Sequence, residues 1–404
     1  MMNALRDLKA LPRNVWVATI TSFLTDISSE MIVYLIPLFL SNVLGVRTVI
    51  IGLIDGVAET TASVLKLYSG ALSDKLGKRK WVAVVGYGLS TLAKPFLLIA
   101  NSWFWVLGVR FADRVGKGIR NPPRDALVAD SIDEAHRGLA FGVHRAGDTF
   151  GAFVGLGLAA AIVFLVQSGQ TQLLSRSTFQ VTVLISVLPA ALAVLILALG
   201  ARDVTTLTSS SRPILSLRGV DRRFKWFLGI VVLFTLGNSS DSFIVLRGQE
   251  RGLSVVQVML MVMTFNLVYA VLAGPLGSLS DRLGRRRILV FGWLAYGLVY
   301  LGLALARSGW QVWALFGLYG VYYAATEGVI KALIADLVPE ALRGTAYGLH
   351  AAAVGLTALP ASLIAGLLWQ GIGPWSGFGP SAPFFFGAAL ASLAAVLFWR
   401  LVES

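Results

Sequence analysis

The chain has 404 residues, is 56% hydrophobic and only 14% charged, and has a mean hydropathy of +0.75, which excludes an ordinary soluble domain. Its net charge of +13 does not indicate nucleic acid, because the basic residues alternate by loop and do not gather on one face. Cysteine is absent, so disulfides, thiol nucleophiles and cysteine metal clusters are excluded.

Apolar stretches of about 20 residues, the length that crosses a hydrocarbon core of roughly 30 Å, follow one another with short polar breaks. Twelve spans are predicted, near 14–42, 49–73, 81–100, 103–121, 139–166, 180–200, 226–246, 254–279, 288–306, 310–337, 346–370 and 382–402. Pro122 and Pro123 follow Asn121, so the fourth span is predicted to end or kink there. The Ser/Thr-rich basic stretch 201–225 reads as a flexible cytoplasmic linker between six-span halves at 1–200 and 226–404.

One set of loops holds the basic residues: Arg6, Lys9 and Arg13 at the N-terminus, Lys75, Lys78, Arg79 and Lys80 after span two, the linker, and Arg282, Arg285, Arg286 and Arg287 after span eight. The opposite loops hold little beyond Arg47, Arg176, Arg247, Arg251 and Arg307. The positive-inside rule puts the first set and both termini in the cytoplasm, in an integral cell (cytoplasmic or inner) membrane. The polar start Met1 to Arg6 has no small-residue cleavage site, so the first span is expected to serve as the insertion signal.

The halves are related. Gly70-Ala-Leu-Ser-Asp74-Lys75-Leu-Gly77-Lys78-Arg79 recurs as Gly277-Ser-Leu-Ser-Asp281-Arg282-Leu-Gly284-Arg285-Arg286. Ala129-Asp130 with Arg137-Gly138 recurs as Ala335-Asp336 with Arg343-Gly344, and Ser28-Ser29-Glu30 is echoed by Ser239-Ser240-Asp241. Three matches in nearly one register mark parallel repeats of six spans.

With its duplicated loop G-x-L-S-D-[RK]-x-G-[RK]-[RK], the chain resembles the major facilitator superfamily over essentially its whole length. The resemblance implies an all-α membrane protein of twelve transmembrane helices in two parallel-repeat six-helix halves. It also implies that Asp74 latches the closed cytoplasmic face, with Asp281 as its counterpart. On physical grounds a carboxylate at that membrane edge meets a helix N-terminus or a basic side chain, while Lys75, Lys78, Arg79 and Lys80 equally serve to orient the span. The gating set is therefore Gly70, Asp74, Lys75, Gly77, Lys78, Arg79, Gly277, Asp281, Arg282, Gly284, Arg285, Arg286, Arg137 and Arg343. Departures are visible: Arg114 replaces a glycine of the family's span-four motif. In the glycine-rich stretch Gly147 to Gly155, Ala152 replaces a proline of the family's antiporter motif, so close helix packing explains these glycines as well as antiport does.

Ionisable groups at membrane depth are costly and must face a partner or a cavity. Span four carries Arg110, Asp113, Arg114, Lys117, Arg120 and, if the helix continues, Arg124 at steps of three and four, which is one helical stripe. Asp26, Glu30, Asp55, Glu59 and Asp148 are acidic candidates in the same half, with Lys66, Lys94 and Arg145 beside them. Two readings stay open: a salt-bridge network that holds the half rigid, or a network part of which titrates and binds solute. For proton or solute binding the candidates are Asp26, Glu30, Glu59, Arg110, Asp113, Arg114, Arg145, Asp148, Asn238, Asp241 and Glu327, the last with Lys331 four residues on. His144 and His350, at equivalent repeat positions, suit a gate contact better than a ligand role, and no metal-ligand spacing is present, so no bound metal is expected.

No G-x-x-x-x-G-K-[ST] motif and no nucleophile elbow occur, so neither a nucleotide-driven pump nor an enzyme is expected. The expected function is secondary active transport of a small solute by alternating access, proton-coupled, with export favoured over uptake. The alternatives are an uptake symporter, a metal or siderophore exporter of the same fold, and a non-transporting sensor or assembly partner. Expected partners are the solute, protons and membrane lipid, with the chain a monomer, no cofactor and no nucleic acid. The basic stripe of span four favours an anionic or zwitterionic solute.

Overall fold

The computed structural model describes residues 11–133, 136–169, 172–204, 221–339 and 342–402, and only the backbone of Ala71 and Asp74. Among the described residues the secondary structure is helical. The helices are α1 (Arg13–Val33), α2 (Thr48–Leu76), α3 (Arg79–Ala93), α4 (Trp103–Asp130), α5 (Arg137–Val166), α6 (Arg176–Gly200), α7 (Arg222–Gly237), α8 (Ser242–Glu250), α9 (Val255–Leu283), α10 (Arg285–Leu305), α11 (Gly309–Leu337), α12 (Arg343–Gln370) and α13 (Ala382–Leu401). α1 runs on through Leu35–Leu38 into a π-helical turn, Phe39–Val43, and α3 into a 3-10 turn, Lys94–Ile99, at Pro95. With α7 and α8 taken as one interrupted span, these make the twelve membrane-length elements expected.

Ten of them are long and apolar enough to cross a membrane on length and composition. The other two, α4 and α11, have 28 and 29 residues, long enough at 1.5 Å per residue, and carry the charges and tyrosines described below. Local signals set several ends. The Ser102 hydroxyl accepts from the Trp105 N–H at 3.3 Å, and Ser254 with Gln257 forms a capping box at the start of α9. Gly77 and Gly284, at φ +60° and +94°, make the turns that end α2 and α9 inside the duplicated loop.

Two expectations change. The fourth span does not end at the prolines: α4 continues through Pro122 and Pro123 to Asp130. Proline at 122 removes the N–H that would pair with the Gly118 carbonyl, and the Ser69 hydroxyl donates to that carbonyl at 2.8 Å instead. Arg124 thereby stays on the charged stripe. The seventh span, expected to be continuous over 226–246, is broken: α7 ends at Gly237, Asn238 takes φ −97° and ψ 81°, and helix resumes at Ser242.

The contacts divide the chain into two compact units, one of Met1–Leu35, Thr61–Ile162 and Arg176–Pro213, the other of Ile36–Thr60, Val163–Ser175 and Ile214–Ser404. In the first, α5 lies so close to α1 that a side-chain carbon at Gly151 or Gly155 would fall 2.5 Å from the carbonyl oxygen of Phe23 or Ile27. Close packing therefore accounts for the glycine-rich stretch of span five. The core of the second is aromatic: Phe234 stacks on Trp293 at 5.0 Å, Tyr296 on Tyr300 at 4.1 Å and Phe265 on Phe316 at 4.9 Å.

Candidate functional site

In the first unit the charged stripe of α4 meets polar groups from three other helices. Arg110, Arg114 and Arg120 are buried, while Asp113, Lys117 and Arg124 are half-buried. Lys94, at the start of the 3-10 turn and 5% exposed, donates from Nζ to the Ser28 hydroxyl at 2.5 Å and to the Ser29 hydroxyl at 3.3 Å, while Asp113 with Arg110, Arg114 and Arg120 forms its electrostatic surround. About two turns toward the N-terminus of α1, Arg124 donates to the Ser22 hydroxyl at 2.8 Å and the Tyr87 hydroxyl at 3.4 Å, and pairs with Asp125 at 2.7 Å. The Arg120 guanidinium lies 4.5 Å from the centre of the Tyr87 ring.

Asp26 and Asp148 sit inside this cluster. Asp26 is within electrostatic reach of Lys117, Arg120, Arg124 and Arg145, and Asp148 is within reach of Asp26, Arg124, Arg145 and Asp125. His144 bridges the network, with Nε2 3.0 Å from the Ser22 hydroxyl and Nδ1 3.5 Å from Asp148. The structure therefore brings Asp26, Arg110, Asp113, Arg114, Arg145 and Asp148 into one constellation. It adds Lys94 and Tyr87, which the sequence did not single out as site residues. Glu30 is half-buried two turns of α1 away from Ser22.

The second constellation, in the second unit, is built on the break between α7 and α8. Asn238 is held by two tyrosines of α11: the Tyr319 hydroxyl donates to Oδ1 at 3.3 Å, and Nδ2 donates to the Tyr322 hydroxyl at 3.4 Å. The Ser240 hydroxyl donates to the Asp55 carboxylate at 2.8 Å. Asp241 faces Tyr319 and is electrostatically coupled to Asp55 and Glu59. The Gly237 carbonyl at the end of α7 accepts from the buried Tyr296 hydroxyl at 2.9 Å. Glu327 accepts from the Tyr269 hydroxyl and lies within electrostatic reach of Tyr322. Reading the sequence missed the tyrosines. Their signal is a helical one, Tyr296 and Tyr300 on α10 with Tyr319, Tyr322 and Tyr323 on α11, and it is also the signal of an ordinary aromatic core.

In the duplicated loops Arg79 pairs with Asp130, and Arg285 pairs with Asp336 and lies 3.8 Å from Asp281. The first repeat thus meets the second within each unit, although the paired bases sit one position apart in the motif: Arg79 matches Arg286, which instead donates to the Trp399 carbonyl and lies over the Trp399 ring at 4.4 Å. Arg137 donates to the Ala129 carbonyl at 3.3 Å. Lys75, Lys78, Arg282 and Arg343 are exposed. A methyl at Gly70 would touch Pro122 at an ordinary 3.5 Å, and one at Gly277 would meet open space, so neither glycine is required for close approach. The Asp74 side chain and most of the linker, 205–220, lie outside the described residues.

Twelve membrane-length helices, with a charged cluster within one unit and a broken span within the other, are the architecture of a membrane carrier. The profile of the Major Facilitator Superfamily matches residues 18–247 and 226–404, and the chain belongs to that superfamily. It is 34% identical over 395 residues to an uncharacterised MFS-type transporter of Methanocaldococcus jannaschii, covering 96% of this chain and 95% of that protein. It is 24% identical over 342 residues to the multi-drug resistance efflux pump PmrA of Streptococcus pneumoniae, covering 81% and 82%. Among solved structures, a POT family transporter in complex with a thioalcohol-conjugated peptide superposes with a TM-score of 0.80 at 12% identity over 96% of each chain. The protein is an integral, multi-pass membrane transporter and not an enzyme.

Proposed function

We propose that the protein exports a small anionic or zwitterionic solute in exchange for protons, from a cell membrane in which both termini face the cytoplasm. The observation that carries the solute class is the charge balance of the first unit, where Lys94, Arg110, Arg114, Lys117, Arg120, Arg124 and Arg145 outnumber Asp26, Asp113, Asp125 and Asp148 around one constellation. An anionic group entering such a surround gains charge-assisted hydrogen bonds. Asp26 and Asp148 are the proposed proton carriers: two carboxylates that share one set of arginines titrate as a pair, so a proton on either changes the charge that the solute meets. Efflux is the printed role of the pneumococcal relative, which supports export over uptake. Glu30, Glu59, Asn238, Asp241 and Glu327 remain proposed contributors to the binding region, and the loop residues proposed parts of the gate.

Proteoliposomes holding the purified chain test this. A pH gradient, acidic on the side to which solute is exported, should drive uphill movement of the transported organic anion. Asp26→Asn should lower driven flux by about ten-fold or more, while counterflow exchange at equal pH survives. Driven flux that is unchanged in Asp26→Asn and Glu30→Gln, or flux indifferent to the gradient, would refute proton coupling. A preference for lipophilic cations in a solute screen would refute the charge assignment.

A further inference from the structure

The stripe of α4 holds two arginines about one turn apart with opposite surroundings. Arg124 has its acceptors in place, in Ser22, Tyr87 and Asp125. Arg120 is more than nine-tenths buried, at 6% exposure, and its Nε has no hydrogen-bond partner. Its guanidinium lies against the face of the Tyr87 ring, 4.5 Å from the ring centre. Asp26 and Asp113 stand within electrostatic reach, but neither accepts from that Nε. A buried guanidinium is a set of donors in a fixed plane, and one left without acceptors is costly unless something else supplies them.

The side chain is held from behind. A side-chain carbon at Gly86 on α3 would fall 2.7 Å from the Arg120 Cβ and 2.8 Å from its backbone nitrogen, so the two helices touch there and Arg120 is laid along α3 onto Tyr87. With one face on the ring, its N–H groups are offered along the edge, in the guanidinium plane. Asp26, Lys117 and Arg124, on neighbouring turns, are half-buried. Charges at membrane depth do not face lipid, so this side of the cluster opens to water and to a solute. An edge of coplanar donors matches an acceptor with two coplanar oxygens. Asp26 and Asp113 already offset part of the positive charge, which favours a singly charged carboxylate over a doubly charged phosphate. We propose that Arg120 is the solute-binding arginine of the cluster and that the exported solute carries a carboxylate, received along the guanidinium edge while Tyr87 backs the opposite face. This rests on the anionic or zwitterionic reading above and narrows it to carboxylates.

The test uses the purified full-length protein in detergent, without a gradient. Thermal unfolding and tryptophan fluorescence are followed as sodium acetate, lactate or benzoate replaces sodium chloride at constant ionic strength, with sodium phosphate as a parallel series. A carboxylate should raise Tm saturably, with half-saturation on the order of millimolar, and phosphate should not, a selectivity that needs no variant. Arg120→Lys, which keeps the charge and loses the fork, should raise the half-saturating concentration about ten-fold, and Arg120→Gln should abolish the response. Carboxylate binding as tight in Arg120→Gln as in the natural chain overturns the assignment of Arg120. Saturable stabilisation by phosphate and by none of the carboxylates overturns the solute class, and a flat response to all three carboxylates overturns the proposal. In each of these cases the broader anionic reading fails only if the proteoliposome screen turns up lipophilic cations, so the two failures are read separately.

Discussion

Arg247 shows how much a single buried cation can hold together. It is fully buried in α8 and donates to the carbonyls of Leu303, Ala304 and Ala306 at 3.1, 3.0 and 3.4 Å, to the Ser381 hydroxyl at 3.0 Å and to Glu250 at 2.6 Å. In the sequence it is merely one of the few basic residues of the outer loops. Apart from Glu250, its partners lie more than 50 residues away in the chain, so no local pattern could reveal them. Arg247→Ala should destabilise the protein by about 3 kcal/mol, because carbonyls and a carboxylate would lose their donor in a dry place. Thermal unfolding in detergent checks this, and a change below about 1 kcal/mol would mean that water replaces the guanidinium. The stripe from Arg110 to Arg124, by contrast, was readable, because three- and four-residue spacing is itself a statement about one helix face. Tyr87 was not, and Lys94, though visible as a charge in an apolar run, gave no sign that it meets Ser28 and Ser29, since a lone lysine or tyrosine carries no periodic signal.

At the level of elements, lengths and spans followed from hydropathy, while interruptions did not. Pro122 and Pro123 warned of a helix end that does not occur, because the Ser69 hydroxyl on another helix takes over the carbonyl that proline leaves unpaired. Ser69→Ala should therefore cost about 1–2 kcal/mol and loosen α4 beyond Gly118. Faster hydrogen exchange at residues 119–128 in the variant is the expected outcome, and unchanged exchange would show that the continuation of α4 does not rely on that bond. The break at Asn238 has the opposite history. No proline or glycine pair marks it within Asn238–Asp241, and it is sustained by Tyr319, Tyr322 and Asp55, none of them neighbours in sequence. A duplicated motif does not guarantee a duplicated conformation: Ser28-Ser29-Glu30, the repeat partner of Ser239-Ser240-Asp241, lies within continuous helix.

For the molecule as a carrier, one contact within the second unit bears on alternating access. Gly52 on α2 meets α12 so closely that a side-chain carbon there would fall 2.2 Å from the Ser362 carbonyl oxygen. Asn42 and Gln249 close the same unit with a reciprocal amide pair at 2.9 and 2.8 Å. Alternating access requires helices to part and re-form such contacts, so Gly52→Ala should disfavour the packed arrangement. The chain has no cysteine, which makes a single Asn42→Cys an unambiguous reporter. Its labelling by a water-soluble maleimide should rise several-fold in the Gly52→Ala background, and equal labelling would show that the contact does not govern access. The sequence by itself determined the membrane setting, the number of spans, the internal repeat and the superfamily. These rest on composition, period and local motif, which the chain carries along its length. Which charges share a cluster, that α4 outlasts its prolines, and that span seven opens against the tyrosines of α11 were decided only in the tertiary structure. Each depends on a partner supplied by a distant helix, and hydropathy and spacing do not record which helices become neighbours.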